Sequence, residues 1–365
     1  DPGSKPAIYH MTLLRTLDAN LNRASEGLRV LEDIARFLLA DKDLSSSLRA
    51  ARHELSQRSS GVYNRLLSGR DAESDIGAGA AQGGSEDLSR TDTLALVTAN
   101  AKRVQQSLRV ISELASLPEL RATLDPGFFD RLRFTLYTAE KRLTSALSRR
   151  ETADRIRGLY VVLDAEALAG RDVAEAARQA IAGGTRVLQL RDKVSSTRQM
   201  VDRAQSLRSI TREAGALFLV NDRLDVTIAV DADGLHVGQD DLPVAVARRI
   251  LPVGKIVGAS ARTSDQAVRA CQEGADYVAV GSVFPSTGKP GALVVGLSGV
   301  AEVRKAVQSP VVAIGGIDET NVAQVIQAGA DCIAVIGAVL SRQDIAAATR
   351  RMVDAIAAAR NHSEE

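Results

Sequence analysis

The sequence predicts an α/β protein in two parts, a (β/α)8 TIM barrel in the C-terminal portion preceded by an all-α helical domain. Three observations carry this expectation. Residues 12–150 place apolar side chains three and four positions apart with few β-branched runs, which is the period of a one-sided helix. After Arg157 the pattern changes to short β-branched apolar runs separated by helical segments, the alternation of βα units. Those runs number eight, a count that favours closure into a barrel over a doubly wound open sheet. The domains expected are therefore residues 1–150, helical, and residues 155–360, the barrel, divided in the charged stretch Arg149 to Arg157.

In the first long helix Leu17, Leu21, Leu28, Leu31 and Ile34 fall near one face. Asn20, Arg23, Leu28, Arg29, Val30 and Ala35 recur 80 residues later as Asn100, Arg103, Leu108, Arg109, Val110 and Ala115, and a duplicated helical hairpin explains the echo most simply. Ser74 to Ser85, rich in Gly and Ala without a period, reads as a loop. A last helix is expected over Gly127 to Leu147. The eight strands are expected at Leu159–Leu163, Val187–Leu190, Leu217–Val220, Gly234–Val237, Ile256–Ala259, Tyr277–Val280, Val311–Ile314 and Ile333–Ile336. Glycines such as Gly183-Gly184, Gly274 and Gly329 end the helices between them, where a left-handed residue returns the chain to the next strand.

Composition removes several function classes. The 365 residues are 45% hydrophobic and 25% charged with a net charge of +1, so neither nucleic acid nor an anionic membrane surface is an expected partner. No apolar run approaches the roughly 18 residues of a membrane span, and Asp1 to Lys5 lacks the apolar core of a signal peptide. Two cysteines, Cys271 and Cys332, form no CxxC or zinc spacing, which suits a reducing cytoplasm. With four His and no Trp, chemistry falls to carboxylates, cations and glycines; oligomeric state is left open.

Catalytic groups of such a barrel belong at the C-terminal ends of its strands, and the unusual polar residues cluster there. Strand two ends in Gln189-Leu190-Arg191-Asp192-Lys193, whose alternation turns Gln189, Arg191 and Lys193 to one side. Two cations and an amide suit an anion; an ion-pair ring in the barrel mouth is the competing reading. Strands three and four end in Asn221-Asp222 and Gly238-Gln239-Asp240-Asp241. Carboxylates on adjacent strand tips suit Mg2+, which would join acidic ligands to an anionic substrate. Asp240 alone reads better as a turn, and His236 as a packed strand residue. Ser260 ends strand five, Ser286-Thr287-Gly288-Lys289 follows strand six as a candidate lid, and Gly315-Gly316 and Ile336-Gly337 end strands seven and eight. Glycines at those last two ends match the common barrel phosphate site.

Taken in order, these segments over residues 157–358 closely resemble the thiamine phosphate synthase family. The resemblance implies condensation of a pyrimidine diphosphate with a thiazole phosphate. It implies that Gln189, Arg191, Lys193, Asn221, Ser260 and Lys289 contact the diphosphate substrate, with Arg191, Lys193, Ser260 and Lys289 acting in catalysis. Asp222 and Asp241 would bind Mg2+, and Ser286, Thr287, Gly288, Gly316, Ile336 and Gly337 would hold the thiazole phosphate. Two positions depart from the family pattern: Gly288 stands where a hydroxyl usually precedes the lysine, and Arg262 occupies a region where a His is common. The helical part, through Asp18 to Asp33 with Arg52-His53, resembles a module fused before the synthase in cyanobacteria. Relatives of that module are proposed pyrimidine phosphate kinases, but no phosphate-loop glycine motif occurs here, and Asn20, Arg23, Glu26 and Arg29 read rather as helix-surface ion pairs and interface contacts. The competing functions are a thiazole tautomerase-like isomerase and a phosphate-ligand sensor.

Overall fold

The structure, a computed structural model, describes residues 4–69, 92–285 and 293–361. It divides into two compact units, Asp1–Ser148 and Arg149–Glu365. The loop expected at Ser74 to Ser85 lies outside the described residues. Among the described residues no helix is long and apolar enough to cross a membrane.

The helices of the first unit are α1 (Ser4–Asp33), α2 (Lys42–Ser59), α3 (Tyr63–Gly69), α4 (Thr93–Ala115), α5 (Pro118–Arg121) and α6 (Pro126–Asp154), the last of which continues past Ser148 into the second unit. Their starts are chemically marked: the Asp41 carboxylate accepts from Leu44 N–H at 2.9 Å and that of Asp92 from Ala95 N–H at 2.7 Å, satisfying amides that no carbonyl of the helix can reach. Leu17, Leu21, Leu28, Leu31 and Ile34 are all buried. The 80-residue echo has a structural counterpart, because Asn20 Nδ2 donates to Thr16 O and Asn100 Nδ2 to Leu96 O, both at 2.8 Å. Arg29 and Arg109 each pair with a carboxylate four residues on, Asp33 and Glu113. Thus Arg29 is a helix-surface contact as read from sequence, but Asn20 is buried, since its amide is satisfied within its own helix and needs no water. The last helix runs past Leu147 to Asp154, because no Gly or Pro stands between Ser148 and Asp154 to stop it.

The second unit is a closed parallel barrel in sequential order. Its strands are β1 (Gly158–Asp164), β2 (Val187–Arg191), β3 (Leu217–Asn221), β4 (Gly234–Val237), β5 (Ile256–Ala261), β6 (Tyr277–Val280), β7 (Val311–Ile314) and β8 (Cys332–Val335). The last is one residue earlier than expected, since Gly158 of β1 pairs with Cys332. Between and after the strands lie α7 (Val173–Ala182), α8 (Thr197–Glu213), α9 (Leu224–Ala229), α10 (Val244–Ile250), α11 (Ser264–Gln272), α12 (Gly296–Ala306), α13 (Val322–Gln327), α14 (Gly337–Leu340) and α15 (Ile345–Asn361).

Both faces of every strand are covered, which is why the strands read as unbroken apolar runs rather than alternating ones. One set, including Val161, Leu188, Phe218, Leu235, Val257 and Val278, packs outward with the helices. The other, including Ile156, Tyr160, Val162, Val187, Leu219, Tyr277 and Cys332, forms a separate cluster inside the barrel. Polar side chains replace apolar ones in the inner set toward the strand C-termini, where Gln189, His236 and Ser260 stand.

Candidate active site

Register builds the site before any ligand is considered. Asp164 at the end of β1 lies opposite Arg191 at the end of β2, and Arg191 Nη1 makes a short hydrogen bond to Asp164 Oδ2. The Asp164 carboxylate is fixed from behind by the N–H groups of Glu166 and Ala167 at 3.0 and 2.9 Å. Two backbone donors and a guanidinium satisfy this buried carboxylate. It therefore aims Arg191 while staying buried itself.

Lys193, exposed beyond β2, reaches Asp222 Oδ2 at 3.4 Å. Asp222 holds a left-handed backbone, φ +60°, just past β3, a conformation unusual for a residue with a Cβ and tolerated best by Asn and Asp. Asp241 lies in the turn after β4 and accepts from Gly238 N–H at 2.9 Å. The two aspartates interact: burial and then Asp241 push the Asp222 carboxyl above its ordinary range, against the pull of Lys193. Burial also raises Asp241, but Asp222, the Gly238 N–H, Lys193 and His236 together hold it below. The result is a pair of carboxylates whose mutual repulsion favours a shared proton or a cation. Asp240 beside them is exposed. Asp192 turns away, accepting from Arg203 Nη1 at 2.6 Å and Ser195 N–H at 2.9 Å.

Below the mouth, inside the barrel, Gln189 Nε2 donates to Tyr160 Oη at 2.6 Å. Tyr160 Oη lies 3.1 Å from Tyr277 Oη, which lies 3.0 Å from His236 Nδ1. His236 Nε2 is 3.0 Å from Ser260 Oγ. Burial, far more than the opposing pull of Asp241, drives the His236 pKa down to about 4, so the imidazole is neutral at physiological pH. Gly258 makes the arrangement fit, because a Cβ there would lie 2.0 Å from Tyr277 Cζ. The Gln239 amide donates to Ser260 O.

On the far side, Gly315 takes φ +104° directly after β7, and a Cβ on it would come 2.2 Å from Ser282 Oγ. Glycine is required there on both counts. Gly316 O accepts from Asn321 Nδ2 at 2.9 Å. Ile336 is half-buried and Gly337 exposed after β8. Asn221 ends β3 opposite His236 of β4. Ser286, Thr287, Gly288 and Lys289 lie outside the described residues.

Of the expected site residues, the structure thus places Gln189, Arg191, Lys193, Asn221, Asp222, Asp241 and Ser260 at the C-terminal ends of strands β2 to β5. Arg191 and Lys193 each carry a carboxylate partner. Three participants were passed over in the sequence. Asp164 gave one signal, a carboxylate ending the first apolar run. Tyr160 and Tyr277 gave none, since an aromatic residue inside a strand reads as core.

Residues 159–339 match the family model described as thiamine monophosphate synthase, and residues 15–142 match that of the ThiD2 family. A thiamine-phosphate synthase of Prochlorococcus marinus is 36% identical over 96% of this chain and 98% of its own length. One from Thermosynechococcus vestitus is 38% identical over 95% of this chain and 96% of its own. The solved thiamine phosphate pyrophosphorylase of Pyrococcus furiosus is 40% identical with a TM-score of 0.53, covering 57% of this chain and 98% of the other.

Proposed function

The chain belongs to the thiamine-phosphate synthase family, and on that premise we propose how its barrel, an enzyme of the transferase class, performs the condensation. The substrates are 4-amino-2-methyl-5-(diphosphooxymethyl)pyrimidine and 4-methyl-5-(2-phosphooxyethyl)thiazole, the products thiamine phosphate and pyrophosphate. The observation that carries this reading is the juxtaposition of Arg191, Lys193, Asn221 and Ser260 with the aspartate pair on neighbouring strand ends. Donors and cations on one side of the mouth suit a diphosphate, and two crowded carboxylates suit a divalent ion that a diphosphate also ligates.

The residues present fit Mg2+. Asp222 and Asp241 would hold it, since one or two carboxylates are the usual protein share of such a site, with water and phosphate oxygens completing it. When bound, the ion supplies positive charge against the departing pyrophosphate. The chain does the rest. Arg191, aimed by Asp164, and Lys193 stabilise negative charge that grows as the C–O bond of the pyrimidine methylene breaks. Lys289 would add a third cation, while Gln189 and Ser260 orient the diphosphate substrate. The thiazole nitrogen attacks with a free lone pair, so no general base is needed. Ser286, Thr287, Gly288, Gly316, Ile336 and Gly337 would hold the thiazole phosphate. Enclosure by the barrel mouth would keep water from the pyrimidine cation.

An isomerase acting on a thiazole phosphate has no diphosphate to release and no use for the aspartate pair. The condensation ligands all belong to the barrel, so the helical unit is read as dispensable for this reaction. Its own kinase activity would appear as ATP-dependent conversion of the pyrimidine monophosphate. Cytoplasmic placement accords with the free thiols Cys271 and Cys332. The test of the barrel reading is pyrophosphate release measured with both substrates together and with each alone. Mg2+-dependent release only from the pair is expected; no release, or equal release without the thiazole, would overturn it.

A further inference from the structure

The hydrogen bonds inside the barrel run in single file from Gln189 to Ser260, and the hydrogen count of each member sets their direction. Gln189 Nε2 can only donate, so Tyr160 Oη accepts from it at 2.6 Å. A phenol has one hydrogen. Tyr160 therefore gives its own to Tyr277 Oη, 3.1 Å away, and Tyr277 gives its own to His236 Nδ1 at 3.0 Å. An imidazole that accepts at Nδ1 carries its hydrogen on Nε2, where Ser260 Oγ accepts at 3.0 Å. Ser260 is left with a hydrogen not used by the file. It stands half-buried near the end of β5, beside the mouth.

We propose that Tyr160, Tyr277 and His236 are positioning residues forming a one-way hydrogen-bond relay, which locks His236 as its Nε2–H tautomer and so presents Ser260 as a hydrogen-bond donor to the diphosphate substrate. The last clause rests on the synthase reading; the tautomer does not. The opposite direction would have Ser260 donate to His236 and turn lone pairs toward an anion. The relay also ties both ends of the pyrimidine site together, since Gln189 is anchored by the same file that orients Ser260. Its members are held apart from competing partners: Tyr277 is fully buried and Tyr160 nearly so. The His236 and Tyr277 rings stack with centroids 5.6 Å apart, and the Tyr277 ring occupies the space left by Gly258.

The test is imidazole 15N NMR on the full-length protein near neutral pH, with the signal of His236 among four histidines identified by its loss in His236→Gln. The wild type is expected to show the Nε2–H tautomer. Tyr277→Phe keeps the ring over Gly258 but has no hydrogen for Nδ1. It should lose the fixed tautomer and lower kcat by about tenfold, the scale of one lost hydrogen bond, while the KM for the thiazole phosphate changes less than about twofold. A purely structural role would instead disturb both parameters with the tautomer unmoved. An Nδ1–H tautomer in the wild type overturns the relay, as does a Tyr277→Phe protein with unchanged tautomer and kcat. A shifted tautomer with unchanged kcat rejects the presentation of Ser260. If wild type releases no pyrophosphate, the synthase reading fails by itself, and the tautomer still decides the direction of the relay.

Discussion

In the helical unit, Asn20 and Asn100 turn their amides onto carbonyls of their own helices, and Glu32 is pinned by Arg49 and Arg52 from α2 at 2.8 and 3.0 Å. In the barrel, Gln189, Tyr160, Tyr277, His236 and Ser260 come from five different strands and each finds its partner on another strand. Both solutions satisfy buried polar groups, as they must. They leave different residues at the surface. The two amides are consumed on their own helices and Glu32 by its neighbouring helix, whereas the file across the strands ends at Ser260, half-buried near the end of β5. Buried polarity therefore does not by itself mark function; where its chain of partners ends does.

The largest break in this comparison should come at the aspartate pair. Asp222→Asn and Asp241→Ala should each cut turnover by about 100-fold or more in Mg2+ with the thermal midpoint retained, because neither carboxylate holds the core together and Asn tolerates the left-handed backbone at 222. Steady-state rates at saturating substrate decide this, and near-normal values would remove both from the metal site.

Acid should weaken the barrel selectively. The His236 pKa is depressed from 6.5 to about 4 by burial, so between those values the unfolded chain binds a proton that the folded one refuses. Stability from this group is complete above pH 6.5 and falls as pH drops toward 4, by about 3 kcal/mol in all. Denaturant unfolding compared between wild type and His236→Gln isolates it. A difference that does not change between about pH 7 and pH 5 would contradict the assignment.

Glu32 is the counterpart in the helical unit. Burial raises its carboxyl, but hydrogen bonds from Arg49 and Arg52 outweigh that and hold it below the usual range. Glu32→Ala should cost about 2 kcal/mol, less than for a sealed ion pair, because Arg49 is 48% exposed and can rehydrate. Chemical unfolding of the helical signal reads this, with pyrophosphate release expected to stay unchanged.

The smallest effect is expected from removing the helical unit. A chain beginning at Asp154 keeps Ile156, which is buried in the inner barrel cluster, and Asp276 keeps Arg248 after losing Arg149. It should fold, since a barrel of about 200 residues buries enough surface to stand alone, and turn over within about twofold of the full chain. An inactive but folded truncation would place an essential group in the helical unit.

Eight strands were legible because a parallel strand covered on both faces is an apolar run ended by Gly or Asp. β8 is shifted by one residue, since the run Cys332 to Ile336 offers no polar residue to fix its limits, and β1, β2, β3 and β5 extend one or two residues past the apolar runs. The mouth was legible where charge interrupts a run, at Arg191, Asp222 and Asp241. Partnership was not. Asp164 pairs with Arg191 through register between strands, and Tyr160 meets Tyr277 from across the barrel. Neither relation exists until closure brings the strands together. Asn20 was legible only as far as a surface or interface contact: helical spacing gives a face, but not whether an amide folds back on its own backbone.

The buried tyrosine pair gives the protein an optical handle. The chain has no Trp and five Tyr. Of the four whose side chains are described, Tyr63 and Tyr137 are exposed on the helical unit while Tyr160 and Tyr277 are locked inside the barrel. Fixed, hydrogen-bonded phenols in a chiral surrounding dominate near-ultraviolet dichroism, and mobile exposed ones contribute little. Among the described tyrosines the barrel pair should therefore supply most of the near-ultraviolet band, a label-free signal expected to respond when a ligand reaches Gln189 and Ser260.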